Sequence, residues 1–206
     1  MSTKFSDTQS LFRLSLLATV SSEFPRLTDV STFIYDFNRL YEISRLVVDP
    51  AYSKFHFDTD APYSPLGAES PIRDEDRAYC YQLALGSLEL GAVFAASGGA
   101  LAALWCLIQI IERVTTMKLS RQKLAAEVKK LELENEALAI KLPHVLQKEY
   151  EEFKHSAKID EIVQSDRAVF KNFDEIQRRL VAVEIKVVSI DIEYLAGKNS
   201  QLERKV

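Results

Sequence analysis

Residues 90–111 carry no charged side chain: Leu-Gly-Ala-Val-Phe-Ala-Ala-Ser-Gly-Gly-Ala-Leu-Ala-Ala-Leu-Trp-Cys-Leu-Ile-Gln-Ile-Ile. An apolar helix needs roughly 20 residues to cross the hydrocarbon core of a bilayer. A run of this length reads first as a membrane-spanning helix, closed by Glu89 on one side and by Glu112 and Arg113 on the other. Trp105 then stands one to two turns inside the second boundary, where interfacial aromatics gather. Two further readings stay open. The run can be a helix buried in a soluble oligomer, or a re-entrant hairpin turning at Ser97-Gly98-Gly99.

On a helix, Gly91, Ala95, Gly99 and Ala103 recur every four residues and form one strip of small side chains, which Ala92, Ala96 and Ala100 widen. In lipid such strips let helices pack closely, and the amide of Gln109 would find a hydrogen-bond partner in a symmetry-related copy. Self-association is the expectation. The same surface serves a soluble multimer equally well.

No Gly or Pro occurs between Val114 and Leu142, so the helix is expected to run on into a coiled coil. In heptad register Val114, Arg121, Val128, Asn135 and Leu142 take the a positions, with Met117, Leu124, Leu131 and Leu138 at d. Val at a with Leu at d suits two strands, and one Asn at a selects register and oligomer state. Arg121 at a, and Glu127 facing Glu132 across a parallel pair, count against a parallel homodimer. An antiparallel hairpin or a higher oligomer therefore stays in play.

Ahead of the run, residues 11–19 alternate as a strand, and from Thr28 the spacing of Val30, Phe33, Ile34, Phe37, Leu40 and Tyr41 becomes helical. Thr28 is read as the N-cap and Asp49-Pro50 as the stop, unless a second strand takes over at residues 41–48. Residues 50–78 read as a solvated loop, and residues 78–89 as a strand feeding the apolar helix. Beyond Pro143 the pattern predicts a polar helix over 144–155 and an amphipathic one over 165–180. Residues 183–194 alternate in two phases, Val183, Ile185 and Val187 and then Val188, Ile190, Ile192 and Tyr194, as a bulged strand would. Continuation of the preceding helix is its competitor. The expected class is α+β: a small α+β domain (1–89), an apolar membrane helix (90–111), a coiled coil (112–142), and a C-terminal helical segment with a terminal strand (143–206).

Signals for chemistry are sparse. His56, Asp58 and Asp60 alternate along an extended segment, yet this loop lacks the glycine and distal glutamate of a calcium site. Residues 73–77, Arg-Asp-Glu-Asp-Arg, read as surface charge. Cys80 and Cys106 form no metal or disulfide framework, and no nucleophile elbow, phosphate loop or dinucleotide fingerprint occurs. Residues 1–89 carry 8 basic and 13 acidic groups, and residues 112–206 carry 18 and 17. Nothing in this distribution fits a nucleic-acid binder. No cofactor, metal or catalytic residue is expected.

Basic residues gather after the apolar run, so the positive-inside rule places the coiled-coil half in the cytoplasm. The opening Met-Ser-Thr-Lys-Phe-Ser-Asp lacks the features of a signal peptide and points to a cytosolic start, in conflict with that topology. The expectation is a non-enzymatic, self-associating, single-pass membrane scaffold, with lipid and a protein as partners and oligomeric membrane perturbation as a variant. Its alternative is a soluble structural protein whose apolar helix is the core of a multimer.

Overall fold

The uncharged run is two elements, divided at Ala96 and Ser97. The computed structural model describes residues 10–20, 26–58, 61–65, 70–84, 88–115, 133, 136–156, 167–182 and 185–197. In chain order the elements are β1 (Leu11–Val20), α1 (Leu27–Val48), β2 (Tyr79–Ala84), β3 (Leu88–Ala95), α2 (Gly98–Thr115), α3 (His144–Ser156), α4 (Arg167–Ala182) and β4 (Ile185–Leu195). The class is α+β.

The four strands form one antiparallel sheet in the order β2-β3-β1-β4. The first and last strands of the chain are therefore neighbours. Alternation along β1 aims Phe12, Leu14, Leu16 and Ala18 at the core, joined by Leu90, Ala92 and Phe94 of β3 and Ile190 of β4. Along β4 the phase changes where expected. Leu17 lies opposite Ser189 and Ala18 opposite Val187, which leaves Val188 as the extra residue of a bulge.

Helix α1 packs on this inner face, with the rings of Tyr41 and Phe94 4.5 Å apart. It runs unbroken to Val48 and is capped at Asp49 by a backbone bond to the Arg45 carbonyl. No strand forms over 41–48. At its start Arg26, not Thr28, occupies the N-cap, and the Arg26 guanidinium is paired with Asp29. The 50–78 connection folds back over α1. Tyr52 and Ile72 are buried with Leu46, and Phe55, Phe57 and Tyr63 stack edge to face beside them.

Ser97 starts α2. Its hydroxyl accepts the N–H of Ala100 at 3.1 Å, the bond an N-cap serine makes, while its carbonyl accepts from Leu101. From Ala100 to Ile108 every residue except Trp105 is at most 2 % exposed. A helix that is apolar all round is covered all round, and here the cover is protein, since α2 lies between α1 and α3. The hydropathy of residues 90–111 thus comes from a central strand followed at once by a buried helix. Among the described residues no helix is long and apolar enough to cross a membrane. The membrane-spanning helix and the single-pass membrane location are overturned, and the expectation of lipid as a partner rested on them.

The small-residue strip does not exist as one face, because Gly91 and Ala95 lie on β3 whereas Gly99 and Ala103 lie on α2. Two of its glycines answer to contacts within the chain. A Cβ on Gly91 would meet the Tyr81 ring at 2.5 Å, and one on Gly99 would meet a carboxylate oxygen of Asp49 at 2.5 Å. Gln109 stands on α2. No coiled coil is seen among the described residues. Leu124, Val128, Leu131 and Asn135 lie outside them, and the last two heptad positions turn inward, Leu142 being buried and Leu138 half-buried against the chain's own core.

Helix propensity alone makes Gly99→Ala stabilising by up to about 1 kcal/mol. The Asp49 carboxylate cannot retreat, since it is held by Arg45 at 2.9 Å and by the Ala51 N–H at 2.9 Å. Gly99→Ala is therefore expected to lower stability by about 1–3 kcal/mol, the usual cost of overpacking. Urea denaturation of the two proteins decides the sign.

Candidate functional site on the open face of the sheet

Two arrangements of polar groups stand out, one sealed and one open. The sealed one is a charged ladder on α1. Asp36, Arg39, Glu42, Arg45 and Asp49 follow at steps of three and four residues, and all are at most 8 % exposed. Burying a charge is costly unless it is paired and hydrogen-bonded, and each rung has partners. Asp36 pairs with Arg179 of α4 at 2.5 Å, and Arg39 reaches Asn172 at 2.6 Å and Glu175 at 2.9 Å. Glu42 accepts from the Tyr63 hydroxyl and from Asn38 at 3.3 Å. Arg45 binds Asp49, Asp76 at 2.7 Å and the Ser97 hydroxyl at 3.2 Å.

Asp76 is the correction to the surface reading of residues 73–77. It is 7 % exposed and takes hydrogen bonds from Arg45, Arg73 and Tyr52. Its neighbours Asp74 and Glu75 are exposed as expected. Burial pushes the Asp36 and Glu42 carboxyls above the usual carboxylate range. Arg179 opposes this at Asp36, and the Tyr63 and Asn38 hydrogen bonds oppose it at Glu42. Burial also raises the phenols of Tyr52 and Tyr63, next to Asp76 and Glu42 respectively, so both stay protonated as donors. These carboxylates and phenols are turned toward one another in the interior, where the ladder joins α1 to α4, to the 50–78 connection and to the start of α2.

The open arrangement lies on the outer face of the sheet. Cross-strand register sets its rows. Tyr79, Val93, Arg13 and Glu193 form one, Gly91, Ser15 and Asp191 the next, and Ala84, Glu89, Leu17 and Ser189 the third. In the middle row the two central residues, Gly91 and Ser15, have small side chains. A depression results. Its volume is about 230 Å³, and Tyr81, Gln82, Glu89 and Asp191 stand around it.

A register shift in β2 between Cys80 and Gln82 makes Tyr81 the extra residue of that strand, and its ring lies over Gly91. Its hydroxyl is 3.1 Å from the Ser15 hydroxyl. The Gln82 amide reaches Glu89 at 3.4 Å. Both acids that line the depression, Glu89 and Asp191, are exposed, and among the described residues no basic side chain lines it. Arg13, the basic residue in the adjoining row, is paired with Glu193.

Of the oligomerisation residues expected from the sequence, Gly91 alone belongs to this depression. His56 and Asp58 are exposed on the 50–78 connection and Asp60 lies outside the described residues. No cluster of three potential metal ligands occurs among the described residues. Ser15, Tyr81, Glu89 and Asp191 escaped sequence reasoning because they come from four strands. Only the register brings them together. The ladder had a visible trace: charges of alternating sign at three-residue steps on a helix whose apolar residues already cover most of its circumference.

A carboxyl whose folded-state pKa is raised favours the protonated fold. Stability is then highest below the unfolded value, roughly 4 for these groups, and falls as pH rises toward the raised value. Glu42→Gln removes one such group. Chemical denaturation across the weakly acid to neutral range should show a shallower fall for the variant, and an unchanged slope would contradict the assignment of Glu42.

No protein-family model, no curated protein and no solved structure matches this chain.

Proposed function

We propose that this protein is a non-enzymatic interaction module that receives a segment of a protein partner on the open face of its sheet. The observation that carries this is the asymmetry of the sheet. One face is buried under helices, whereas the other, among the described residues, is bare and carries the depression beside Tyr81. A face of this kind is rigid, since three of its strands also supply the core. The depression, at about 230 Å³, is smaller than the roughly 300–1,000 Å³ of small-molecule sites and partly open to solvent, which favours a protruding side chain over a free metabolite. Pairing with the same face of a second copy is disfavoured, because it would bring together two sets of Glu89 and Asp191, which no basic side chain among the described residues lining the depression neutralises.

Self-association has a separate surface in its favour. Leu133 and Ile140 are 58 % and 72 % exposed, while Leu138 and Leu142 face inward. One experiment addresses both surfaces. Partners that co-purify with the full chain are compared for the unchanged protein, Ser15→Trp, which fills the depression, and Ile140→Lys, with oligomeric state measured by sedimentation. The docking face predicts a partner retained by Ile140→Lys and lost with Ser15→Trp. Equal recovery with Ser15→Trp would refute it. A drop in oligomer size confined to Ile140→Lys is expected if the surface around Ile140 joins copies, and no change there would remove self-association through it.

A further inference from the structure

The chemistry of the depression specifies what enters it. The geometry points to a cationic side chain, an arginine or lysine of a basic partner segment, as the group received between Glu89, Asp191 and Tyr81. This rests on the docking face proposed above and adds the identity of the anchor.

Three independent features of the depression agree. The first is charge. Asp191 on β4 ends the Gly91–Ser15 row, Glu89 stands one row along on β3, and among the described residues no cation lines the space to neutralise them. Arg13 does not fill that role, being held by Glu193 in the adjoining row. The second is shape. The Tyr81 ring covers Gly91, and the space left beside that ring, bounded by Ser15, Gln82, Glu89 and Asp191, suits a long, thin side chain. The third is the wall. Tyr81 is 44 % exposed and is fixed over Gly91 by the Ser15 hydroxyl, offering ring surface to a neighbouring cation. An acidic or a large apolar side chain satisfies none of these. An anion would be repelled by both carboxylates, and an apolar group would strip them of water without replacing it. Guanidinium fits best, because its planar fork bonds carboxylates and stacks on an aromatic ring at once.

The probe is a short peptide of alternating alanine and arginine, compared with the same peptide carrying citrulline, which keeps the shape of arginine without its charge. Amide shifts of the isotope-labelled full chain report where each binds, and the titration gives its Kd at low and physiological salt. The arginine peptide is expected to move the Gly91, Ser15 and Asp191 amides. Citrulline is expected to weaken binding by about tenfold or more, as is Glu89→Gln combined with Asp191→Asn, the loss expected when charge-assisted hydrogen bonds become neutral. Added salt should weaken the arginine peptide alone. Citrulline binding as tightly as arginine, an undiminished Kd in the double variant, or shifts confined to other surfaces would each overturn the cationic anchor. In the first two cases a Kd that still collapses in Ser15→Trp would leave the docking face standing while its anchor was wrong. Loss of the native partner with Ser15→Trp but not with the charge-neutral double variant would likewise overturn the anchor and keep the face.

Discussion

The Arg45 guanidinium is the point on which the rest of the structure turns. It is 2 % exposed and sits in the last turn of α1. From there it binds Asp49 where the helix stops, Asp76 in the connection to β2, and Ser97 at the turn from β3 into α2. Three changes of chain direction are thus tied to one cation. Removing one partner from a buried ionic cluster costs roughly 3–5 kcal/mol, because the remaining charges stay buried. The same contacts decide how the uncharged run folds. Ser97 caps α2 while it accepts from Arg45, and Asp49 and Glu149 bring negative charge to the positive N-terminal end of α2, Glu149 accepting the Gly98 N–H at 3.1 Å. A helix that started earlier, at Leu90, would lose every one of these.

Much of the remainder follows from packing around α1. Its apolar side meets the sheet and α2, while its charged ladder meets α4 and the 50–78 connection, so hardly any of its surface is left for water. A helix placed in this way needs polar neighbours inside the protein. Asn172, Glu175 and Arg179 on α4 and Tyr63 in the connection supply them, and Asn172 joins the two by accepting from both Arg39 and the Tyr63 N–H at 2.6 Å. The outer sheet face, which among the described residues carries neither helix nor connection, is what remains to meet a partner.

Periodicity made some of these elements legible and left others hidden. β1, α1 up to Asp49 and the bulged β4 could be read directly, because each has a buried and a less buried side and alternates accordingly. β3 and α2 could not. A central strand and a buried helix are both apolar throughout, and with only Ala96 and Ser97 between them they join into one hydrophobic stretch, for which periodicity cannot separate strand from helix. The clue was Ser97-Gly98-Gly99, an N-cap serine before two residues that leave room for Glu149 and Asp49. Likewise Asp76 could not be told from Asp74 without knowing that Arg45 reaches it. The depression was least legible of all, since Ser15 and Gly91 become neighbours only through strand register.

Everything above depends on residues 90–95 being a strand in the same cooperative sheet as β1 and β4, and on residues 98–108 being buried by protein. Hydrogen exchange of the native protein in detergent-free buffer reads both at once. The amides of Ala92 and Phe94 are expected to exchange as slowly as those of Leu14 and Ile190 and to open with them, and α2 is expected to be protected without lipid. Fast exchange over residues 90–108 in buffer, with protection gained only in micelles or bilayers, would contradict this fold and restore the membrane helix.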